Sequence, residues 1–534
     1  MSWPEQCVHC GFRESDIPSV MPPHDWVQGE DVFECLRSGK STLDVDTSLV
    51  LEDIALMRNT VSDMDHYLNH LDTLASRARK ERAEIVKVIE AKQSLLSPIR
   101  RLNHDVLLII FSYASNGTNN SLCMKNAPWT LLHTCHWWRL VVSSSPVLWS
   151  TLRLHVSRGT NFPSHALNIV KLQLRLSQNS PLRLFVDIDF DFRHQDAVIS
   201  EVMSHSNRCY EVYIVATRRL LRKFIRTSLH YSQLRRLVIS TCSSMESYMS
   251  LDAPKLILLG LHGGGRVCPN IFPASNLCQF TGYFSDPMEF HTFISVATSL
   301  EKLGVQSIDQ AGYSKPLIPV TLRRLHQFSY LSSSETCPNY LVSPALRVLS
   351  VMQQVDDIIA VAKLYSRSHF SLERLYLCHN FQFSAVAPFV ETGAVRGLTH
   401  FHLEVDDTTA SDWITALTVT PSFCIFPNLS ELTMVDYLSK SLSNPDNAQR
   451  YLAMVRSRLP KDNGAATCRY LESCLKKVDL CIWHPEGAED IYVNGLRAFR
   501  EGGLDTNFHF SADFEGGRSY RHIGLRLYRE IAGI

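Results

Sequence analysis

No sign of charge predominates in this chain of 534 residues, because its 53 lysines and arginines balance 53 aspartates and glutamates. A net charge of zero disfavours proteins that coat nucleic acid or bind membranes through polybasic segments. Long hydrophobic runs are also missing. The longest, such as 106–111 and 256–261, fall far short of the roughly 18 residues that span a bilayer. The first residues lack the basic start and apolar run of a secretory signal. These absences predict a soluble protein of the cytoplasm or nucleus that binds neither nucleic acid nor membrane.

The sequence also lacks a dense cysteine framework, since its fifteen cysteines are scattered and the chain is long. This pattern favours reduced thiols over a disulfide-stapled fold. Cys7 and Cys10 have the C-x-x-C-G spacing of a zinc knuckle. Only His24 and Cys35 lie near them in sequence, so the pair is a weak metal candidate. No cofactor is predicted.

Motifs of enzyme chemistry are missing as well. The sequence contains no G-x-S-x-G nucleophile elbow and no H-E-x-x-H pair. A hydrolase is therefore disfavoured, and we predict that the protein is not an enzyme and has no catalytic residues.

The chain exceeds the roughly 250–300 residues at which a single core stops growing, which predicts several domains or a repeat array. Residues 1–45 show no sustained period and are predicted to form a loose leader. Segment 46–97 predicts a long amphipathic helix or a helical hairpin, uninterrupted by glycine or proline until Pro98. Charged residues such as Arg58 and Arg82 fall near heptad core positions. Both a coiled-coil dimer and packing against the same chain therefore remain open. The apolar residues of this segment recur at steps of three, four or seven: Leu51, Ile54, Val61, Leu68, Leu71, Ala75, Ala78, Ile85 and Ile89.

Segment 98–150 combines apolar helix-forming residues with a polar stretch. Asn103 is suited to cap a helix whose apolar face includes Val106, Leu107, Ile110 and Phe111. Pro128 suits the first turn of a second helix. That helix would carry Leu131, Leu132, Cys135, Trp138 and Val142. Two or three short helices cannot bury all of these side chains, so the surplus predicts contact with a partner or with the next domain.

Segment 151–534 contains short apolar strands with a repeated L-x-x-L-x-L lead-in. From Leu234 to Leu398 the copies lie roughly 21 to 26 residues apart, within the range of about 20–29 for leucine-rich repeats. Alternate leucines would point inward from each strand and be covered by the next copy. The pattern predicts an irregular leucine-rich-repeat-like α/β solenoid, less regular after about residue 400. An ordinary α/β domain with leucine-rich strands is the alternative. The aligned copies start at Leu234, Leu256, Leu277, Leu300, Leu322, Leu346, Leu372, Leu398, Leu429 and Leu475.

The order of residues in 98–150 resembles an F-box, in the divergent form of the F-box-like proteins that are abundant in mushroom-forming fungi. The family pattern runs P-I-R-x-L-P-P-E-I-L-x-x-I-F, then a loop, then L-x-x-V-C-R-x-W-R-x-I and S-P-x-L-W. A helical leader, an F-box and a leucine-rich region follow one another in this family too. The matching residues are Pro98, Ile99, Arg100, Leu102, Val106, Leu107, Ile110, Phe111, Leu132, Cys135, Trp138, Arg139, Val142, Ser145, Pro146, Leu148 and Trp149.

The resemblance implies a small all-helical domain that docks on the Skp-type adaptor of a cullin–RING ubiquitin ligase. The C-terminal region would then bind a protein substrate, and the chain would be a non-catalytic substrate receptor. Trp149 is further expected to seal the F-box against the first repeat. The implied adaptor-binding set is Pro98, Leu102, Val106, Leu107, Ile110, Phe111, Leu132, Cys135, Trp138 and Trp149.

A second hypothesis rests on departures from the family pattern. The paired prolines are replaced by Asn103 and His104, and the arginine after Cys135 is His136. With a degenerate F-box used only as a joint, the protein would be a scaffold that self-associates through residues 51–96.

Overall fold

The computed structural model describes two units, Met1–Asn103 and His104–Ile534. Within the first unit, α1 spans Thr47–Leu96 as one continuous helix and is followed by a 3₁₀ turn at Pro98–Arg101. The hairpin alternative for 46–97 is therefore not adopted. The residues that the structure describes are 37, 47–115, 117, 120–156, 165–188, 195–225, 229–240, 251–262, 272–284, 286–308, 318–330, 337–352, 356–378, 381–436, 442, 444–459, 475–482 and 487–510.

The described part of the second unit contains twelve further helices. No helix in the described ranges is both long enough and apolar enough to cross a bilayer. The helices are α2 His104–Ser115, α3 Trp129–Leu132, α4 His136–Ser143, α5 Ala166–Leu176, α6 Gln195–Met203, α7 Arg218–Phe224, α8 Pro287–Val296, α9 Asp356–Ser368, α10 Phe383–Val390, α11 Ala410–Leu417, α12 Pro445–Ser457 and α13 Glu489–Glu501.

Sixteen strands are present among the described residues. Fourteen form one parallel sheet in which the strands lie side by side in chain order, with β7 paired to β9 and β9 to β11, and β8 and β10 form a separate two-stranded parallel sheet. The strands are β1 Thr151–Val156, β2 Leu182–Ile188, β3 Cys209–Ala216, β4 Arg236–Ser240, β5 Leu258–His262, β6 Gln279–Phe284, β7 Lys302–Ile308, β8 Val320–Thr321, β9 Gln327–Tyr330, β10 Leu341–Val342, β11 Val348–Val351, β12 Arg374–Leu377, β13 His400–Glu404, β14 Glu431–Asp436, β15 Lys477–Ile482 and β16 Asp505–Phe510.

One face of the large sheet forms the core against the helices. Alternate strand residues such as Leu375 and Leu377 are buried, as period-two geometry requires. Aromatic contacts join this face to the helices. The Phe280 and Phe293 rings lie 4.4 Å apart between β6 and α8, for example. The predicted mixed α/β class with a large parallel sheet is confirmed.

Consecutive strands are joined by a repeated backbone arrangement just before each strand. The Arg235 carbonyl accepts hydrogen bonds from the N–H groups of Ile257 and Leu258, both at 2.9 Å. The Ile257 carbonyl in turn accepts from the N–H groups of Cys278 and Gln279, at 2.9 and 3.1 Å. Each copy therefore satisfies backbone groups of the next, so no copy is complete without its neighbour.

The structure corrects the sequence alignment at Leu322. The N–H groups of His326 and Gln327 bond to the Glu301 carbonyl, so the residue equivalent to Leu300 is Leu325. Leu322 lies three residues earlier, directly after β8, which pairs with β10 instead of joining the large sheet. Both leucines are fully buried, and hydrophobicity alone did not distinguish the two registers.

The second helix predicted in 98–150 is also corrected. The chain forms α3 and α4 instead of one helix, with Cys135 in an extended conformation between them. The Trp138 N–H donates to Cys135 Sγ at 3.5 Å, so the thiol caps the start of α4.

Leu375→Ala should lower the free energy of unfolding by about 2–5 kcal/mol, because it removes a fully buried strand side chain and leaves a cavity. The measurement is urea denaturation of the full chain, followed by circular dichroism. Ile359→Ala is the matched control, since Ile359 on α9 is 55% exposed and its loss should change stability by no more than about 0.5 kcal/mol. Equal losses in the two variants would contradict the assignment of the core face.

Candidate protein-interaction surfaces

The first candidate surface is one side of α2. Val106, Ile109, Ile110 and Tyr113 are exposed there, and their spacing places them along one face of the helix. We call these four residues the α2 apolar face. Tyr113 is 79% exposed. Of the predicted adaptor-binding residues, Val106 and Ile110 belong to this face.

The opposite side of α2 is core, and it contains two residues of the predicted set. Leu107 and Phe111 are buried, and their spacing of four residues places them together. Both are inaccessible to a partner while the fold is intact. They support the α2 apolar face from behind.

Trp149 is likewise buried and does not form part of an exposed surface. Its ring centroid lies 4.7 Å from that of Trp129, and its Nε1–H donates to the Val142 carbonyl at 2.8 Å. Gln173 Nε2 on α5 donates to the carbonyls of Trp149 and Thr151 at 3.3 and 2.8 Å. These contacts connect the helical segment 104–149 to the first strand and to α5.

The remaining predicted residues of this segment are half-buried. Trp138 packs edge-on against Phe111 with centroids 4.8 Å apart, so it holds α4 against α2. Leu132 lies at the end of α3. Cys135 is the helix cap described above, so its side chain already accepts a hydrogen bond within the protein.

Pattern reasoning missed several exposed apolar residues. Ile109 and Tyr113 complete the α2 apolar face, and Trp137 and Leu140 are exposed on α4. Val147 in the following 3₁₀ turn is also exposed. The signal available in the sequence was the helical spacing of 106, 109, 110 and 113.

Two groups of predicted residues lie elsewhere. Pro98 is exposed and Leu102 is half-buried, and both belong to the unit that ends at Asn103. The metal candidates Cys7 and Cys10 lie outside the described residues.

The second candidate surface is the sheet face opposite the helices, which we call the open face. It carries the residues that alternate with the buried ones, such as Arg183 in β2, Glu211 in β3 and Arg236 in β4. Arg183 Nε donates to Glu211 Oε2 at 2.8 Å, and Arg236 lies 3.8 Å from the same carboxylate. Charges of opposite sign thus alternate across neighbouring strands.

Aromatic side chains lie beside this charged row. The Arg153 guanidinium lies 3.8 Å from the centroid of the Phe185 ring, a cation–π distance, and Phe185 lies 6.3 Å from Tyr213. Burial, with the positive charge of Arg183, lowers the pKa of Arg153. Half-buried aromatic and arginine side chains are enriched at protein–protein interfaces.

The middle of the open face carries small residues. Gly260, Thr281, Gly304, Ser329 and Ser350 occupy the equivalent position of β5, β6, β7, β9 and β11, and all are buried. The crevice beside Thr281 and Gly304 has a volume of about 10 Å³. It has no room for a small-molecule substrate, since this volume is about that of one water.

The far part of the open face contains a buried histidine. His402 in β13 packs its ring 5.8 Å from Tyr376, and its Nε2 atom has no hydrogen-bond partner. Desolvation lowers the pKa of His402 from 6.5 to about 4, against the opposite effect of Asp479. The adjacent Cys378 thiol has a pKa raised by burial and by the nearby Glu404 carboxylate.

No protein-family model matches this chain, and no curated protein sequence matches it.

His402 should make stability pH-dependent in acid. Between pH 6.5 and about 4 the unfolded imidazole binds a proton while the folded one does not, so stability falls as the pH falls through this window. Between pH 7.5 and pH 5 the free energy of unfolding of the wild type should fall by about 2 kcal/mol more than that of His402→Gln. Urea denaturation at both pH values, with a chelator present, measures the difference.

His133 is exposed, so His133→Gln controls for the loss of a histidine as such. Its free energy of unfolding should have the same pH dependence as that of the wild type. Parallel pH dependence of the wild type and His402→Gln would contradict a neutral, buried His402.

Proposed function

We propose that this protein is a non-catalytic substrate receptor of a cullin–RING ubiquitin ligase, in which an F-box-like segment at 98–150 docks on a Skp-type adaptor. The observation that carries the proposal is the α2 apolar face, formed by Val106, Ile109, Ile110 and Tyr113. These side chains are exposed on a helix whose opposite side is fully occupied by the core. A surface of this kind is stabilised when a partner covers it.

The physical argument for docking is the area that a partner would remove from water. Covering an apolar side chain completely is worth roughly 1.5–3 kcal/mol. Trp137 and Leu140 on the neighbouring α4 add exposed apolar area. Phe111 and Trp138 hold the two helices together, so the surface is pre-organised and loses little conformational entropy on binding.

The proposed substrate-binding surface is the part of the open face formed by β1 to β4 of the leucine-rich-repeat-like sheet, where charged and aromatic side chains are exposed or half-buried. Its first strands offer aromatic side chains next to charges of both signs, with Arg153, Phe185 and Tyr213 in one row. The small central residues and the narrow crevice at Thr281 disfavour a small-molecule ligand. A protein substrate fits this mixture of aromatic and charged groups.

The adaptor prediction is tested by pull-down of the full chain with purified Skp-type adaptor. An Ile109→Asp, Ile110→Asp double variant should bind at least about tenfold more weakly, because two carboxylates would be desolvated in the interface. Both positions are exposed, so the variant should keep the wild-type circular dichroism spectrum. Leu107 is unsuitable for this test, because a charge at a buried position would unfold the segment.

Ile359→Asp is the matched control, since it places the same charge at an exposed isoleucine of a different helix. It should bind the adaptor like the wild type. Undiminished binding by the folded double variant, or no binding by the folded wild type, would refute adaptor docking through the α2 apolar face.

A second candidate function is self-association through α1. No residue of this fifty-residue helix is buried. Ile54, Val61 and Leu68 recur every seven residues and are exposed, as is Met57, which lies three residues after the first of them. Such a seam is typical of coiled coils and favours a scaffold that dimerises through this helix.

Self-association is tested by size-exclusion chromatography with light scattering on the full chain. The wild type should be a dimer under this second hypothesis, and a Val61→Asp, Leu68→Asp variant should be a monomer because the charges fall within the seam. His66→Asp places one charge at an exposed position away from the seam and should remain dimeric. A monomeric wild type would exclude the scaffold hypothesis and leave adaptor docking untouched.

A further inference from the structure

Three potential metal ligands meet on the open face where β12 and β13 end. Strand register pairs Leu377 with Leu403, so the next residues, Cys378 and Glu404, lie opposite each other. His402 lies two residues before Glu404 on the same strand, and a period of two places both side chains on the same face. One potential ligand atom from each of the three residues lies within 4.8 Å of the others.

The surroundings of this cluster distinguish it from an ordinary polar surface. Cys378 is 3% exposed and His402 is 6% exposed. The buried His402 Nε2 has no hydrogen-bond partner, and a buried polar atom without a partner costs roughly 1–3 kcal/mol. A cation that His402 binds through Nε2 would satisfy this atom. Glu404 is half-buried and is the most exposed of the three residues.

We propose that Cys378, His402 and Glu404 bind one zinc ion. Zinc accepts thiolate sulfur, imidazole nitrogen and carboxylate oxygen in one tetrahedral site, and three protein ligands leave the fourth position to water. The thiolate ligand favours zinc over the hard ions magnesium and calcium, which prefer oxygen ligands. This site goes beyond the proposed ligase function and does not depend on adaptor binding.

The present geometry is close to what such a site needs. Ligand bonds of about 2.0–2.3 Å in a tetrahedron place ligand atoms roughly 3.5 Å apart. A separation of 4.8 Å would require that pair of atoms to approach by about 1.3 Å. Apolar Met352 packs with Cys378, and the Tyr376 ring lies beside His402, so the site is screened from bulk water. The ion would connect β12 to β13 on the face that the helices do not cover.

The test measures zinc binding by the full chain in a background with Cys7→Ser and Cys10→Ser, so that the leader pair contributes nothing. After dialysis against zinc, metal analysis should find one zinc per chain. Cys378→Ser and His402→Gln should each weaken zinc binding by at least about tenfold. Cys278→Ser, which removes a half-buried cysteine directly before β6, is the matched control and should retain the zinc.

Cobalt substitution provides a second readout. Bound cobalt should show the thiolate-to-metal charge-transfer absorption that only a cysteine ligand gives, and Cys378→Ser should abolish it. Glu404→Gln is the variant to measure if Cys378→Ser and His402→Gln misfold, because Glu404 is only half-buried. It should also weaken zinc binding by at least about tenfold. No bound zinc in the background protein, or full zinc retention by folded Cys378→Ser, His402→Gln or Glu404→Gln, would overturn the proposed site.

Discussion

The backbone hydrogen bonds between consecutive strands are the interaction on which the second unit depends. At the joints from β4–β5 to β14–β15 one carbonyl, such as that of Arg235 or Ile257, accepts hydrogen bonds from two N–H groups of the following copy. A parallel strand has no partner within its own copy, so its polar backbone is satisfied only by its neighbours. This strand pairing also places the buried leucine of each copy next to the equivalent leucine of the following copy. Stability along the sheet therefore arises from nearest-neighbour contacts, as in a one-dimensional array.

The two faces of the sheet carry different kinds of residues. The side that faces the helices is filled with leucine and phenylalanine. Substitutions there lower stability, because a closely packed core is sensitive to a change of even one methylene. The open face is more varied, because its first strands carry exposed charged residues while its middle carries small buried ones. It carries the ion pair of Arg183 and Glu211, the Arg153–Phe185 contact and the buried His402 on a common backbone. The proposed substrate-binding surface and the proposed zinc site both use residues of this face.

The helical segment at 104–149 is attached to the array by a small number of specific contacts. Trp149 fills the space beside Trp129, and Gln173 of α5 binds the backbone on either side of the joint. The core of the segment uses Leu107 and Phe111, while Ile109, Ile110 and Tyr113 on the other side of α2 are exposed. An exposed apolar face on a helix that is already anchored is suited to a protein partner.

The amino-acid sequence by itself determined the elements that depend on local periodicity. The α1 helix, the buried anchor leucines and the apolar character of α2 all follow from spacings within one element, which the chain carries wherever it folds. Tertiary structure decided whatever depends on register between elements. It selected Leu325 over Leu322, since either leucine satisfies the local pattern and only pairing with Glu301 distinguishes them. It also brought Cys378 opposite Glu404, because strand pairing joins residues that no local pattern connects.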